Sequence, residues 1–153
     1  MAIGLVNKGR IQWAPKDKWQ GRPLERYEEW IQKLCVQESF RLKQVLYVGV
    51  DDRDLAERNA VFLDHHDWTD VLTFAYGSGA ERIEGEVWMS MERIAENARK
   101  RNLPEEQELL RVLAHGLYHL SGMTDHTLDE RQAMRAKEDE AIRMYRAMFH
   151  VEQ

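Results

Sequence analysis

Only one cysteine, Cys35, occurs in the 153 residues, so no disulfide can form within the chain and a multi-cysteine zinc ribbon is excluded. Proline is nearly as scarce, with three residues, and no Pro- or Gly-rich stretch marks a linker. A single domain spanning 1–153 is therefore expected. Long apolar runs are missing too: the longest plain one, Val45–Val50, is far too short to cross a bilayer. The first ten residues lack the apolar stretch of a secretory signal, which makes a reducing, cytoplasmic setting the expectation. Nor is there an excess of positive charge, since 22 Lys and Arg against 27 Asp and Glu leave the chain at −5 with neutral histidines. Its overall field cannot draw in nucleic acid or an anionic membrane, so binding to either needs a local basic patch. What is present, 43% hydrophobic and 32% charged residues, is the composition of a globular domain.

Periodicity predicts the elements. Ile3–Val6 suits a short first strand. Leu24, Tyr27, Trp30, Ile31, Leu34 and Cys35 recur three and four apart, an amphipathic helix over Leu24–Val36 with Pro23 at its first turn. Val45–Val50 reads as a buried strand, after which Asp51 and Asp52 cap a helix to about Leu63. Val71–Tyr76 and Ile83–Met89 read as strands joined through Gly77-Ser78-Gly79. Ser90 caps a helix to Arg101, and Pro104-Glu105-Glu106 opens another that runs to Leu120 and stops at Gly122. Leu128–Met148 is a last, highly charged helix. About four strands in a small mixed sheet, covered by about five helices, make an α+β domain.

Chemistry concentrates after Leu113. His115 and His119 are four apart on a predicted helix, which sets their Cβ atoms roughly 5–6 Å apart and lets both rings reach one metal ion. Leu109, Leu113, Leu117 and Leu120 form the packing stripe of that helix, more than a quarter-turn from the two histidines. A catalytic zinc takes three protein ligands and keeps a fourth position open. Gly122 turns the chain out of the helix, and the next donors are Asp125 and His126, giving H-x-x-x-H-x-x-G-x-x-D-H. The spacing favours Asp125 as third ligand, with His126 as the alternative. Zinc peptidases carry a glutamate base directly after the first histidine, but here that position is Gly116. Peptide hydrolysis by that route is disfavoured, whereas water activated against phosphorus stays open to the site.

These residues resemble the YbeY family of single-strand-specific endoribonucleases that mature ribosomal RNA. The histidine motif stands as His115-Gly116-Leu117-Tyr118-His119-Leu120-Ser121-Gly122-Met123-Thr124-Asp125-His126. Thr69-Asp70-Val71-Leu72-Thr73-Phe74 and Gly85-Glu86-Val87-Trp88-Met89-Ser90 resemble two further blocks of the family, in the same order. Most members carry histidine where this chain has Asp125, and the arginine that many carry before the first block has no counterpart in Asn59–Trp68. The resemblance implies a metalloprotease-like zinc helix, one Zn2+ ion, and cleavage of single-stranded RNA in maturing the 3′ end of 16S rRNA. It also implies a part in ribosome quality control, with ribosome-associated proteins as further partners and no membrane. Glu86 is the candidate acid to orient the attacking water, since the family's equivalent lies on a strand near the histidine helix.

Other residues have plainer roles. His65 and His66 read as loop residues and His150 as solvated, while Trp30 and Cys35 suit the core and Met134, Met144 and Met148 the apolar side of the last helix. Among the tryptophans, Trp68 is the best placed to stack on a base. Arg99-Lys100-Arg101, with Arg93, is the candidate basic patch. Two alternatives accompany the ribonuclease reading: a metallopeptidase of the H-x-x-x-H-x-x-G-x-x-D type, and a non-catalytic, zinc-stabilised ribosome assembly factor.

Overall fold

The computed structural model describes residues 9–63 and 71–151. A four-stranded sheet runs in the order β1-β2-β4-β3, with β1 at Arg10–Ala14, β2 at Leu42–Val50, β3 at Val71–Ala75 and β4 at Ile83–Ser90. β1 and β4 lie parallel to β2, and β3 closes the sheet antiparallel to β4. The described helices are α1 (Lys16–Trp19), α2 (Leu24–Glu38), α3 (Asp52–Leu63), α4 (Met91–Arg101), α5 (Glu105–Leu120) and α6 (Leu128–Phe149). The fold is thus mixed α and β, as the periodicity predicts.

The strand at Arg10–Ala14 is a departure from the sequence reading, which has its first strand at Ile3–Val6, outside the described residues. Among the described residues β1 is a five-residue edge strand paired only with β2, so little local pattern marks it. Ile11 and Trp13 nevertheless pack on the core, and the Trp13 ring stacks on Tyr47 with centroids 4.9 Å apart. The four-residue α1 adds a sixth helix and buries Trp19, whose indole donates to the Ala14 carbonyl (2.9 Å).

Strand alternation divides the packing between the two faces of the sheet. Val45 and Tyr47 of β2, with Ile83, Val87 and Met89 of β4, face the main core together with α5. Val48 and Val50 face the other side, where they meet Leu55 and Leu72 in a smaller cluster. α5 is buried almost all round: Leu109, Leu113, Leu117 and Leu120 sink into the core as their stripe predicts, and Leu110, Ala114 and Tyr118 are covered too. Trp30 is buried and its indole donates to the Ala141 carbonyl (2.8 Å), tying α2 to α6.

Candidate metal centre

Two local motifs frame the site. α5 ends in a Schellman turn, in which Gly122 N–H bonds the His119 carbonyl (3.0 Å) and Met123 N–H bonds that of Tyr118 (3.1 Å). Gly122 has φ of 104°, a conformation that side chains resist, so glycine is required there. α6 follows after a short connection and begins with a capping box, Thr127 accepting from Glu130 N–H and Glu130 accepting from Thr127 N–H. The Thr124 hydroxyl and the amides of His126 and Thr127 all favour the Glu130 carboxylate and lower its pKa. Asp125 is thereby held between two capped helix ends.

The rings of His115 and His119 stand one turn apart on α5, and their Nε2 atoms are 2.9 Å from each other. Asp125 Oδ2 lies 3.4 Å from His119 Nε2 and 3.7 Å from His115 Nε2. All three donors are part-buried, and one ligand atom from each lies within 4.8 Å of the others. Of the two candidates for third donor, the structure brings Asp125 to the pair; His126 is exposed, and its amide donates to Glu130 (2.8 Å).

The far side of each ring fixes its protons. His119 Nδ1 lies 3.0 Å from the Met123 carbonyl, which can only accept, so that nitrogen carries the hydrogen. His115 Nδ1 lies 2.6 Å from Glu138 Oε2, a carboxylate oxygen that accepts the corresponding N–H of that ring. In the neutral tautomers that these partners match, each Nε2 turns its lone pair towards the other ring and Asp125. Burial, reinforced by the neighbouring His115, lowers the His119 pKa and keeps the ring neutral. Three acceptors converging without a donor fit a cation, and histidines braced at Nδ1 by a carboxylate or carbonyl are the usual second layer of a metal site.

Glu138 escapes the sequence reading. It is 4% exposed, accepts from Arg111 (3.1 Å) as well as from His115, and sits on the apolar stripe of α6 with Met134, Ala141 and Tyr145. A carboxylate at helical spacing within an apolar stripe is the signal that could have found it. Arg111 continues the chain to Asp139 (2.7 Å). Burial opposes the Arg111 charge, but its hydrogen bonds to Asp139 and Glu138 outweigh that and raise its pKa.

Glu86 does not reach the site. Val87 touches Gly116 and Gly85 lies against Leu120, so odd-numbered residues of β4 face α5 and Glu86 points from the opposite side. There its carboxylate accepts from the Tyr76 hydroxyl (2.9 Å) and the Trp88 indole (2.8 Å). The basic patch is also dispersed: Arg93 is bound to Asp52 (2.9 Å), Lys100 to Glu96 (3.1 Å), and Arg101 to both oxygens of Glu108 (2.9 Å each). His65, His66, Trp68, Thr69 and Asp70 lie outside the described residues.

Beside the donors lies a cavity of about 350 Å³ that His115 and Asp125 help to line. Known proteins resemble the chain over nearly all of its length. The family model "Endoribonuclease YbeY" matches residues 14–146. Endoribonuclease YbeY of Flavobacterium johnsoniae is 39% identical over 127 residues, 83% of this chain and 88% of its own. Its counterpart in Christiangramia forsetii is 34% identical over 148 residues, 97% of this chain and 100% of its own. A Thermotoga maritima protein, solved in solution, superposes with a TM-score of 0.64 at 27% identity, covering 92% of this chain and 91% of that one. With the family model matching most of its length and relatives above 30% identity spanning it, this chain belongs to the YbeY endoribonuclease family.

Proposed function

We propose that this protein is a zinc-dependent endoribonuclease that cuts single-stranded RNA in maturation of the 16S rRNA 3′ end and in ribosome quality control. The observation that carries the reading is the convergence of His115 Nε2, His119 Nε2 and Asp125 Oδ2 at the edge of a cavity. A divalent cation held by these three residues would supply a Lewis acid able to activate water against phosphorus. Zinc suits two imidazoles and one carboxylate with a further position left open.

The remaining work falls to the chain's own residues. Glu138 and the Met123 carbonyl hold the Nδ1 protons, which fixes both ring tautomers and turns both Nε2 lone pairs inward. Arg111 pairs with Glu138 from behind, 3.1 Å away, and holds that carboxylate in position. The Schellman turn and the capping box spare Asp125 the entropy of finding its place.

The peptidase alternative loses its base for a steric reason as well as a chemical one. A Cβ on Gly116 would stand 2.5 Å from Val87 Cγ1, so this position faces the sheet and has no room for a glutamate. The reading places a single-domain enzyme on ribosomal RNA in the cytoplasm. Among the described residues no helix is long and apolar enough to cross a membrane.

The test is metal analysis and RNA cleavage on the full chain. The purified protein is expected to hold about one zinc per chain, and the His115→Ala variant much less. Zinc-loaded protein should cut single-stranded RNA, leave casein intact, and lose cleavage in His119→Ala. Cleavage of casein with RNA untouched would overturn the reading, and a metal-loaded protein inert towards both would favour the assembly-factor role.

A further inference from the structure

The chain carries a net charge of −5, yet the cavity beside the metal donors is ringed by Arg101, Arg111, Arg131 and Arg135. Two of these cations are spent internally. Arg101 grips Glu108 and Arg111 grips Glu138 and Asp139, the first two of these carboxylates being buried. The other two project from α6. Arg131 gives one N–H to the His126 carbonyl (3.0 Å) and is otherwise exposed, and Arg135 is exposed and meets no carboxylate among the described residues.

Arg131 and Arg135 are four apart, on the same side of α6 and about 6 Å apart along its axis. Like charges at that spacing repel; none of the three residues between them is acidic, and Asp139, one turn past Arg135, is taken by Arg111 (2.7 Å). Arg131 and Arg135 line the same cavity as His115 and Asp125, so an anion bound by the two guanidiniums shares that cavity with two of the metal donors. Guanidinium is the side chain best matched to phosphate, which it can grip through paired N–H groups. On these grounds we infer that Arg131 and Arg135 hold a backbone phosphate of single-stranded RNA adjacent to the bond being cut. The inference rests on the ribonuclease reading. It replaces the expected patch at Arg93 and Arg99–Arg101 with a phosphate clamp on the last helix, and gives an acidic chain the local positive field that RNA requires.

Arg135→Glu is the sharpest probe because that side chain supports nothing else among the described residues; Arg131→Ala/Arg135→Ala is the second variant. Arg53→Glu is the control, an equal charge reversal on α3, whose Leu55 packs on the opposite face of the sheet. Two readouts use the full chain. One is the anisotropy of a labelled single-stranded RNA in the presence of chelator, titrated at several salt concentrations. The other is single-turnover cleavage by the zinc-loaded protein at rising protein concentration.

Arg135→Glu should raise the dissociation constant and the half-saturating concentration about tenfold or more, with the maximal cleavage rate within about threefold of the parent. In the double alanine variant the slope of log affinity against log salt should become shallower by about 0.7 for each phosphate left without its cation. Arg53→Glu should match the parent. If the parent binds and cuts RNA while Arg135→Glu and the double variant keep its affinity and salt slope, the clamp is overturned and the ribonuclease reading stands. If Arg53→Glu weakens binding as much as Arg135→Glu, the effect is one of net charge and the clamp is again overturned. A parent that neither binds nor cuts RNA overturns the ribonuclease reading itself.

Discussion

His115 and Glu138 come from different helices and are joined by a 2.6 Å contact between Nδ1 and Oε2, which makes a buried carboxylate of α6 the brace for a metal donor of α5. Truncating the brace should loosen the metal. Glu138→Ala is expected to weaken zinc affinity about 10- to 100-fold, read by competition with a chromophoric chelator. It also strands part of the charge of Arg111, whose side chain is only 12% exposed, so a loss on the order of 3 kcal/mol in unfolding free energy should accompany it. Glu138→Gln keeps the volume and should fall between parent and alanine in both measurements.

Asp125 and His126 are neighbours in sequence with separate fates. Asp125→Ala should abolish stoichiometric zinc in elemental analysis, whereas His126→Ala should leave it unchanged, because the exposed His126 ring is not among the clustered donors. Zinc added to the parent at 100 times its dissociation constant should raise the unfolding free energy by about 2.7 kcal/mol. The same addition to Asp125→Ala should leave the melting temperature nearly still.

The donor cluster is legible in the sequence because everything that builds it is local. A 3.6-residue period sets His115 against His119, and Gly122 announces the turn that returns Asp125 to them. What depends on packing between distant segments is not legible there. Glu86 sits on a strand close to α5, but alternation alone cannot say which face of a strand meets a helix, and the contact between Val87 and Gly116 settles that. Glu138 requires knowing that α6 returns alongside α5, and its position 23 residues beyond His115 gives no local hint. The arginines divide in the same way: a run such as Arg99-Lys100-Arg101 looks like a patch until Glu96 and Glu108 take up two of its charges.

Cys35 predicts a pH dependence. Burial pushes its thiol up from 9.0 to about 12, so the folded chain keeps a proton that the unfolded chain releases. The contribution to stability is full below pH 9 and is lost as pH rises from 9 towards 12, at up to about 1.4 kcal/mol per unit. Urea unfolding of the parent should show stability falling above pH 9, with a shallower fall in Cys35→Ala. The native thiol should also resist iodoacetamide at pH 8 and react once the chain is unfolded.

Gly116 couples the steric and catalytic arguments at one position. A methyl group there would overlap Val87, with its carbon 2.5 Å and 2.9 Å from the two Cγ atoms, while α5 is held on its other sides by the core. Gly116→Ala is therefore expected to cost about 1–3 kcal/mol despite its better helix propensity. At this chain length each kcal/mol lowers the melting temperature by about 2–4 °C. Val87→Ala removes the two methyls in the way, so the double variant should be more stable than the sum of the single losses predicts, a positive coupling measurable in a double-mutant cycle. Gly116→Glu would write a peptidase signature into the helix, yet its carboxylate would start from a Cβ driven into the sheet. That variant should melt well below the parent and gain no activity on casein, because the position that supplies the base in zinc peptidases is here committed to packing.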